Sequence, residues 1–262
     1  MNHSAASESG LTASAHGMKS HAMALVCGLA LAAAGSASAT TLMDQIGPSA
    51  SHQQGLSNNL AQISTFYRHA AHYNASVIDD FTLADPAALS GVEAAFFAFS
   101  IRGLDGWDQL TGIRVNIFDT QPNLAMNYQL GNLFSADIPW WNIGFVSPWT
   151  TDPMTRLASI DLSGYQLTLP AGTYWLAVMA LADGYSTDIG ILMSSFAGAP
   201  GNQDNARQVG SGLWFGNGDR ALNADAAYRI TGTLMPVPEP AAYALLLAGL
   251  GIICLRARRR YA

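Results

Sequence analysis

The middle of the chain alternates between apolar and polar residues over short segments. The alternation is clearest at residues 113–117, 165–169 and 228–232, where every second side chain would face a core. Gly, Pro, Asn and Asp bound these segments, and Pro170-Ala171-Gly172 predicts a tight turn. Nine strands are predicted, at residues 77–83, 92–101, 113–118, 126–130, 157–162, 165–169, 173–181, 189–196 and 227–234.

One segment ahead of these strands has a helical period instead. Its apolar residues recur at steps of four, three, four and three, at Leu56, Leu60, Ile63, Tyr67 and Ala70. This spacing predicts a helix that precedes the sheet. Many short strands with little helix indicate a mainly β fold, and we expect a single β-sandwich or jelly-roll domain.

A short apolar run lies near the amino terminus. Residues 22–34 follow the positively charged Lys19 and precede the small residues 35–39. This three-part layout is typical of a secretory signal. The run is shorter than the ~20 residues that span a bilayer, and a buried helix is the alternative interpretation.

Small side chains at Ala37 and Ala39 suit signal peptidase, so we predict a signal peptide over residues 1–39 with cleavage after Ala39. Residues 1–17 contain no Lys or Arg, whereas Met18 is followed directly by Lys19. This difference favours Met18 as the start of translation.

A second apolar run lies near the carboxyl terminus. Pro238, Glu239 and Pro240 precede an apolar stretch at 241–255, which is followed by a basic tail at 256–262. The stretch is about 22 Å long as a helix, at ~1.5 Å per residue, so arginines must snorkel for it to cross a ~30 Å hydrocarbon core. Four arginines predict that the tail end stays in the cytoplasm: Arg256, Arg258, Arg259 and Arg260.

This carboxyl-terminal segment, residues 237–262, resembles the PEP-CTERM sorting signal of Gram-negative bacteria. The triplet, the short apolar helix and the arginine cluster stand in the order of that signal. The resemblance implies recognition, and cutting near the triplet, by an exosortase, a membrane-embedded cysteine-protease-like enzyme whose genes accompany exopolysaccharide production. The triplet would then be a substrate motif, kept extended by its prolines. The alternative is a plain tail anchor with an incidental triplet.

The segment between the two ends, residues 40–236, also has a resemblance. The stretches that begin at Val77, Arg114 and Leu169 are similar to segments of exported PEP-CTERM proteins. Those ectodomains are similar to jelly-roll or lectin-like β-sandwiches. The resemblance implies the fold and transfers no site residue.

Charge and cysteine content exclude several classes of partner and of active site. Residues 40–236 contain sixteen acidic residues, seven arginines and no lysine, a net charge of −9, which argues against a nucleic-acid partner. Cys27 and Cys254 both lie in the terminal segments. The domain between them therefore has no disulfide, cysteine nucleophile or thiolate metal site.

No catalytic residue is predicted. The domain's histidines, His52, His69 and His72, all precede the first predicted strand, and no Gly-x-Ser-x-Gly motif is present. His69 and His72 would share one face of a helix, as metal ligands or on a plain surface. Glu93 is the domain's only Glu, so a glycoside hydrolase would have to use Asp residues in loops.

Calcium is the one cofactor that the residue pattern suggests. Asp and Asn are frequent in the predicted loops, at Asp79-Asp80, Asp105 and Asp108, Asp183 and Asp188, Asp204-Asn205, and Asn217 and Asp219. Hard oxygen ligands suit Ca²⁺, but these residues are also ordinary turn formers. No ligand set is assigned, and no other cofactor is expected.

The densest aromatic segment lies at residues 138–149. It contains Trp140, Trp141 and Trp149 among prolines that indicate a loop. Indole faces pack against the C–H side of sugar rings, so an exposed pair would form a glycan platform. Core filling, as expected for Trp175, is the alternative, and an exposed aromatic loop would equally suit a protein partner.

Together these features predict an exported, non-enzymatic protein of the cell surface or extracellular matrix, associated with exopolysaccharide or biofilm. The tail would anchor it in the inner membrane until an exosortase-like enzyme processes it. The alternative is an exported carbohydrate-active enzyme that uses loop Asp residues, and a purely structural envelope component is a third hypothesis.

Overall fold

The described part of the chain lies within the second of its two units. The units are Met1–Ser38 and Ala39–Ala262. The computed structural model describes residues 39–46, 56–68, 74–100, 106–123, 128–146, 154–183, 187–194, 206–213, 216–235, 245–250, 252 and 256. The predicted signal peptide, apart from Ala39, lies outside these residues.

The described residues form mainly β structure, as the alternation predicted. In chain order the strands are β1 (Thr40–Asp44), β2 (Leu56–Ile63), β3 (Thr65–Tyr67), β4 (Ala75–Leu83), β5 (Ala87–Ser100), β6 (Leu110–Phe118), β7 (Phe134–Pro139), β8 (Ile143–Val146), β9 (Thr155–Asp161), β10 (Thr168–Leu169), β11 (Gly172–Ala182), β12 (Thr187–Ser194), β13 (Arg207–Leu213), β14 (Gly216–Ala221) and β15 (Tyr228–Leu234). Short 3₁₀ helices lie at Gly106–Gln109, Trp140–Asn142 and Ser163–Tyr165.

The strands assemble into two sheets. The first sheet has the order β1-β15-β5-β12-β2, and β9 and β10 also pair with β5 while β8 pairs with β9. The second has the order β14-β13-β4-β3-β11-β6-β7, and β4 also pairs with β11. Because β5 has fourteen residues, it has room to pair with four other strands.

The two sheets share one hydrophobic core. Val92 and Phe96 of the first sheet belong to the same buried cluster as Val115, Leu176 and Val178 of the second. Burying a side chain of this size contributes about 1.5–3 kcal/mol. Strand β15 alternates buried and half-buried residues, as its sequence pattern predicted.

The helix predicted around residues 56–70 is wrong. Residues 56–63 form β2 of the first sheet and residues 65–67 form β3 of the second, with Ser64 between them. The Ser64 hydroxyl donates to the carbonyl of Val178 (2.7 Å) and accepts from the amide of Val77 (3.2 Å). Residues distant in sequence therefore hold this segment extended, and local periodicity does not reveal them.

The strand predicted at residues 126–130 is wrong in its described part, because residues 128–130 form a turn. Tyr128 is buried against Ile78, Phe118 and Ala177 of the second sheet. Its hydroxyl donates to the carbonyl of Asn74 at 3.1 Å. The apolar content of this segment therefore reflects a covering loop rather than a strand.

The strand predicted at residues 165–169 is reduced to β10, Thr168–Leu169. Ser163–Tyr165 form a 3₁₀ helix that ends at Gln166, which has φ 52° and ψ 37°. A left-handed residue cannot continue a strand, so the alternation breaks there. Within the predicted turn at residues 170–172 the chain bends at Ala171, and this segment joins β10 of the first sheet to β11 of the second, which begins at Gly172.

The carboxyl-terminal segment is described only in part. Residues 245–250, 252 and 256 are helical, and Leu245, Leu247 and Ile252 are exposed. Among the described residues, no helix has both the length and the apolar character needed to cross a membrane. The membrane-spanning segment at 241–255 therefore stays a prediction.

Candidate functional site: an exposed tryptophan turn

One of the connections between the two sheets is a 3₁₀ turn at Trp140–Asn142. It follows Pro139 at the end of β7 in the second sheet and precedes Ile143 at the start of β8 in the first. Pro139 is extended, with φ −65° and ψ 149°, and the Ile143 amide donates to the Trp140 carbonyl. These contacts fix the backbone of the turn at both ends.

Buried side chains anchor the turn while its indoles face solvent. Ile138 and Ile143 on either side are 5% and 8% exposed, whereas Trp140 and Trp141 are 55% and 69% exposed. These two tryptophans therefore do not fill the core. A folded protein gains nothing in core stability from such exposure, so these side chains are free to bind a partner.

The two indole rings form a corner. Their centroids lie 6.3 Å apart and their planes meet at 80°. Two ring faces at this angle cannot cover one flat sugar ring together, but they can contact two sides of one sugar or two successive sugars. Trp149, the third predicted member, lies outside the described residues.

Close packing of the backbone positions β7 and its turn. Gly112 of β6 lies opposite Pro139. A Cβ at Gly112 would lie 2.4 Å from the carbonyl oxygen of Ile138, closer than real contacts allow. Glycine at this position therefore lets β7 approach β6.

An ion pair supports the same two strands. The Arg114 guanidinium contacts Asp137 through two bonds, Nε to Oδ1 at 2.5 Å and Nη2 to Oδ2 at 2.8 Å. It also lies 4.3 Å from the centroid of the Phe66 ring. Asp137 keeps 45% of its side chain exposed, so it presents a polar group two residues before Pro139.

A cation-π contact that the sequence did not indicate lies around Arg156 of β9. Its guanidinium carbon is 4.5 Å from the centroid of Trp107 and 6.0 Å from that of Phe145. Trp107 is 6% exposed and belongs to the core. The contact therefore joins the 3₁₀ helix at Gly106–Gln109 to β8 and β9.

The pair Asp79-Asp80 does not lie in a loop, contrary to the sequence-based expectation. Both residues belong to β4 and are 1% and 4% exposed. Asp79 accepts hydrogen bonds from the amides of Ala226 (2.7 Å) and Asp80 (3.1 Å). Burial raises the pKa of Asp79 well above its usual range; the Ala226 amide opposes this shift, and the neighbouring Asp225 and Asp80 add to it.

The other residues of the calcium hypothesis are spread over several elements or are not described. Asp183 lies 3.7 Å from Arg68, Asp188 accepts from the Tyr67 hydroxyl, and Asn217 and Asp219 belong to β14. Asp108 is exposed in a 3₁₀ helix. Among the described residues, no three His, Cys, Asp or Glu side chains are grouped to hold a metal ion. The remaining candidates lie outside that part: His52, His69, His72, Asp105, Asp204 and Asn205.

Glu93, the residue considered for glycoside hydrolysis, contacts Arg229. The Arg229 Nη1 lies 2.5 Å from the Glu93 Oε2, and its Nη2 lies 3.2 Å from the Oδ2 of Asp44. These contacts connect β5, β15 and β1. Glu93 therefore contributes to the pairing of β5 with β15.

The sorting residues lie mostly outside the described part. Arg256 is helical and exposed, whereas Pro238, Glu239, Pro240, Arg258, Arg259, Arg260 and Ala37 are not described. Comparison with family models supplies what the geometry does not: residues 236–260 match the PEP-CTERM protein-sorting motif. Comparison with curated proteins finds no match.

The matched segment contains the Pro-Glu-Pro triplet and all four arginines. The chain therefore carries a PEP-CTERM sorting signal at its carboxyl end, and the resemblance noted in the sequence is confirmed. This motif implies an exported protein that is sorted at the membrane by an exosortase-type enzyme.

Proposed function

We propose that this protein is a non-enzymatic component of the cell surface or extracellular matrix that binds exopolysaccharide. Its two sheets would form a jelly-roll or lectin-like sandwich, and its tail would be removed by an exosortase-type enzyme. The sorting motif at residues 236–260 carries the first part of the proposal. The exposure of Trp140 and Trp141 supports the second.

The sorting step begins with export under the signal peptide at residues 1–39. The apolar segment at 241–255 then holds the protein in the inner membrane, and the arginines beyond it stay in the cytoplasm. Cleavage near Pro238–Pro240 releases the folded domain outside the inner membrane. The purely structural role in the envelope is the outcome if the released domain binds no polysaccharide.

The charge of the domain indicates the kind of polysaccharide. Residues 40–236 carry a net charge of −9, which repels an anionic polymer at low ionic strength. Indole faces need no charge on a sugar, since they contact its C–H groups. We therefore expect a neutral polysaccharide, bound weakly by each domain and firmly by many copies on one surface.

The sorting half is tested by intact mass and cell fractionation in hosts with and without an exosortase. We expect loss of the residues from about Pro240 onward only when the enzyme is present. The variant Glu239→Ala changes the triplet, and it should remain uncleaved. An uncleaved tail in both hosts would overturn the sorting half.

The binding half is tested by affinity electrophoresis of the processed protein in gels that contain the host's own exopolysaccharide. We expect the double variant Trp140→Ala/Trp141→Ala to bind about tenfold more weakly, as for truncated interface anchors. Tyr165→Ala is the matched control, since Tyr165 is an aromatic residue that is 49% exposed elsewhere. Equal binding by all three proteins would overturn the glycan role of the turn.

The non-enzymatic part of the proposal has its own measurement. Incubation of the processed protein with the same exopolysaccharide should release no new reducing ends. Release that is lost on substitution of a loop Asp would support the carbohydrate-active enzyme instead.

A further inference from the structure

The first and last strands of the domain pair with each other. Thr40 lies opposite Gly232, and Asp44 lies opposite Arg229, so β1 and β15 run antiparallel. The start of β1 and the end of β15 therefore lie at one end of the first sheet. Thr40 directly follows the predicted signal peptide, and Leu234 lies two residues before the start of the sorting motif.

The turn between β4 and β5 lies at the same end. Leu234 pairs with Ala87, and the Met235 amide donates to the carbonyl of Pro86 at 2.8 Å. We call this end the tether end and define it by Thr40, Asp85, Leu234 and Met235. Leu234 and Met235 are 48% and 43% exposed, so the tether end presents apolar side chains to its surroundings.

A shallow groove opens at the tether end. It has a volume of about 360 Å³, and Thr40, Thr82, Leu83, Asp85 and Leu234 contribute to its lining. Threonine hydroxyls and the exposed Leu234 are suited to the boundary between headgroups and acyl chains, where both hydrogen bonding and apolar contact are available.

The connection from the tether end to the apolar segment is short. Only residues 236–240 separate Met235 from the segment at 241–255, and three of these five residues are proline. A fully extended chain spans at most ~3.6 Å per residue, which limits this connection to ~18 Å.

We call the 3₁₀ turn at Trp140–Asn142 the tryptophan turn. Measured along the second sheet, it lies far from the tether end. Pro139 pairs with Gly112, and Gly112 pairs with Leu181 of β11. Leu181 is nine residues beyond Gly172, which pairs with Leu83 at the tether end. At ~3.3 Å per residue, the separation along β11 is about 30 Å.

The first sheet gives a shorter distance in the same direction. Ile143 pairs with Ile160, which pairs with Val92, five residues beyond Ala87 along β5. This separation is about 17 Å. The tryptophan turn, which connects the two sheets, thus lies between about 17 and 30 Å along the strands from the tether end.

We propose that the tether end faces the lipid headgroups of the inner membrane while the sorting tail is attached, and that the tryptophan turn faces away from them. This inference rests on the proposed anchoring by residues 241–255. Leu234 and Met235 enter the interfacial layer, and the groove-lining threonines lie beside the headgroups. The orientation leaves Trp140 and Trp141 accessible to polysaccharide before cleavage as well as after it.

The ion pairs of Arg229 hold β15 between its two neighbouring strands. Arg229 of β15 contacts Asp44 on one neighbouring strand and Glu93 on the other. The tether is therefore continuous with a strand that is held on both sides.

The test uses the mature chain, residues 40–262, in phosphatidylethanolamine–phosphatidylglycerol vesicles that contain a headgroup-nitroxide lipid. Cys254 is changed to Ser, and a single fluorophore is attached at Asp85→Cys or at Asn142→Cys, both exposed positions. We expect the nitroxide to quench the fluorophore at 85 about threefold more strongly than that at 142, because position 85 lies at the tether end and position 142 lies about 17–30 Å farther along the strands. Ala84→Cys, also exposed, replaces Asp85→Cys if the latter fails to fold.

Two results would overturn the proposal, and they differ. If the protein does not float with the vesicles, anchoring fails and the orientation fails with it. If it floats but the fluorophores at 85 and 142 are quenched equally, anchoring stands and only the orientation is wrong. Proteolytic release of the domain from the vesicles should abolish the difference between the two positions.

Discussion

The polar seam between the sheets and the tryptophan turn invert the usual distribution of side chains. We define the polar seam as Ser64, Thr65, Asp79 and Tyr228, all of which are at most 1% exposed. The tryptophan turn, by contrast, leaves two large apolar side chains more than half exposed. One region buries polar groups, and the other exposes aromatic ones.

Hydrogen bonds account for the polar seam. The Tyr228 hydroxyl donates to the carbonyl of Val77 (3.0 Å) and accepts from the amide of Val178 (3.3 Å). The Thr65 hydroxyl donates to the carbonyl of Ile189 (2.6 Å) and accepts from its amide (3.1 Å). Burial raises the pKa of Tyr228 far above its usual range, so the hydroxyl remains protonated and keeps donating.

In the described part of the chain, no set of hydrogen bonds like that of the polar seam explains why Trp140 and Trp141 are exposed. This difference between the polar seam and the tryptophan turn separates side chains that stabilise the fold from side chains that are candidates for binding. Polar groups in the seam have partners on both sheets and determine stability. Aromatic groups in the turn contribute little to the core, so their removal should affect binding without affecting folding.

The largest expected effect is the loss of the seam's central hydroxyl. Tyr228→Phe leaves the Val77 carbonyl and the Val178 amide without that partner, and each buried unsatisfied group costs about 1–3 kcal/mol. We expect the free energy of unfolding to fall by about 2–4 kcal/mol in urea titrations. Unchanged polysaccharide binding per folded molecule would sharpen the contrast with the turn, whereas unchanged stability would contradict it.

The next largest effect should come from Gly112→Ala, which links packing to the turn. The added Cβ meets the backbone of Ile138, and overpacking of this kind costs about 1–3 kcal/mol. We expect lower stability and weaker polysaccharide binding together, because β7 must shift. Gly144→Ala is the control beside the same turn, since its Cβ would make ordinary 3.6 Å contacts with Ser159.

Another effect depends on pH, and within one pH unit it is smaller than the two above. The folded-state pKa of Asp79 is raised, so its contribution to stability is fully present below the unfolded pKa, ~3.9, and is lost as pH rises toward the folded pKa. Asp79→Asn should remove this loss, which is at most about 1.4 kcal/mol per pH unit, from urea titrations between pH 4 and 7. Asn keeps an oxygen to accept the Ala226 amide.

The control for this pH profile has the opposite sign. Hydrogen bonds from the Ser163 side chain and amide lower the pKa of the exposed Asp161. Its contribution is therefore present above the unfolded pKa and lost as pH falls. Asp161→Asn should change the free energy of unfolding only on the acid side of the profile. If Asp161→Asn instead had the same effect as Asp79→Asn, burial would not be the cause of the Asp79 effect.

The smallest effect on stability should come from the turn itself. Trp140→Ala/Trp141→Ala should change the free energy of unfolding by less than about 0.5 kcal/mol per site, as for other surface substitutions. Thermal unfolding of the processed protein measures this. A loss similar to that of Tyr228→Phe would mean that the turn is a structural element and would remove the contrast between the two regions.

Strong local patterns predicted part of the fold. Residues 113–118, 173–181 and 227–234 lie largely within β6, β11 and β15, because their side chains alternate between a core and a covered or open face. Strand β14, with the sequence Gly-Asn-Gly-Asp-Arg-Ala, has no such apolar alternation and was not predicted. The ion pair between Arg207 and Asp219 (2.5 Å) connects β14 to β13, and no local sequence pattern predicts that contact.

The sorting signal and the mainly β character can be predicted from the residues alone, because a contiguous motif and a two-residue period are local properties of a chain. Three features depend on how the strands assemble: residues 56–67 cross between the sheets, Trp140 and Trp141 are exposed, and β1 pairs with β15. The physical reason is separation along the chain: Ser64 bonds to Val178 and Thr40 pairs with Gly232. Such partners are chosen when strands pair within a sheet and when the two sheets pack, and neither segment carries a local pattern that identifies the other.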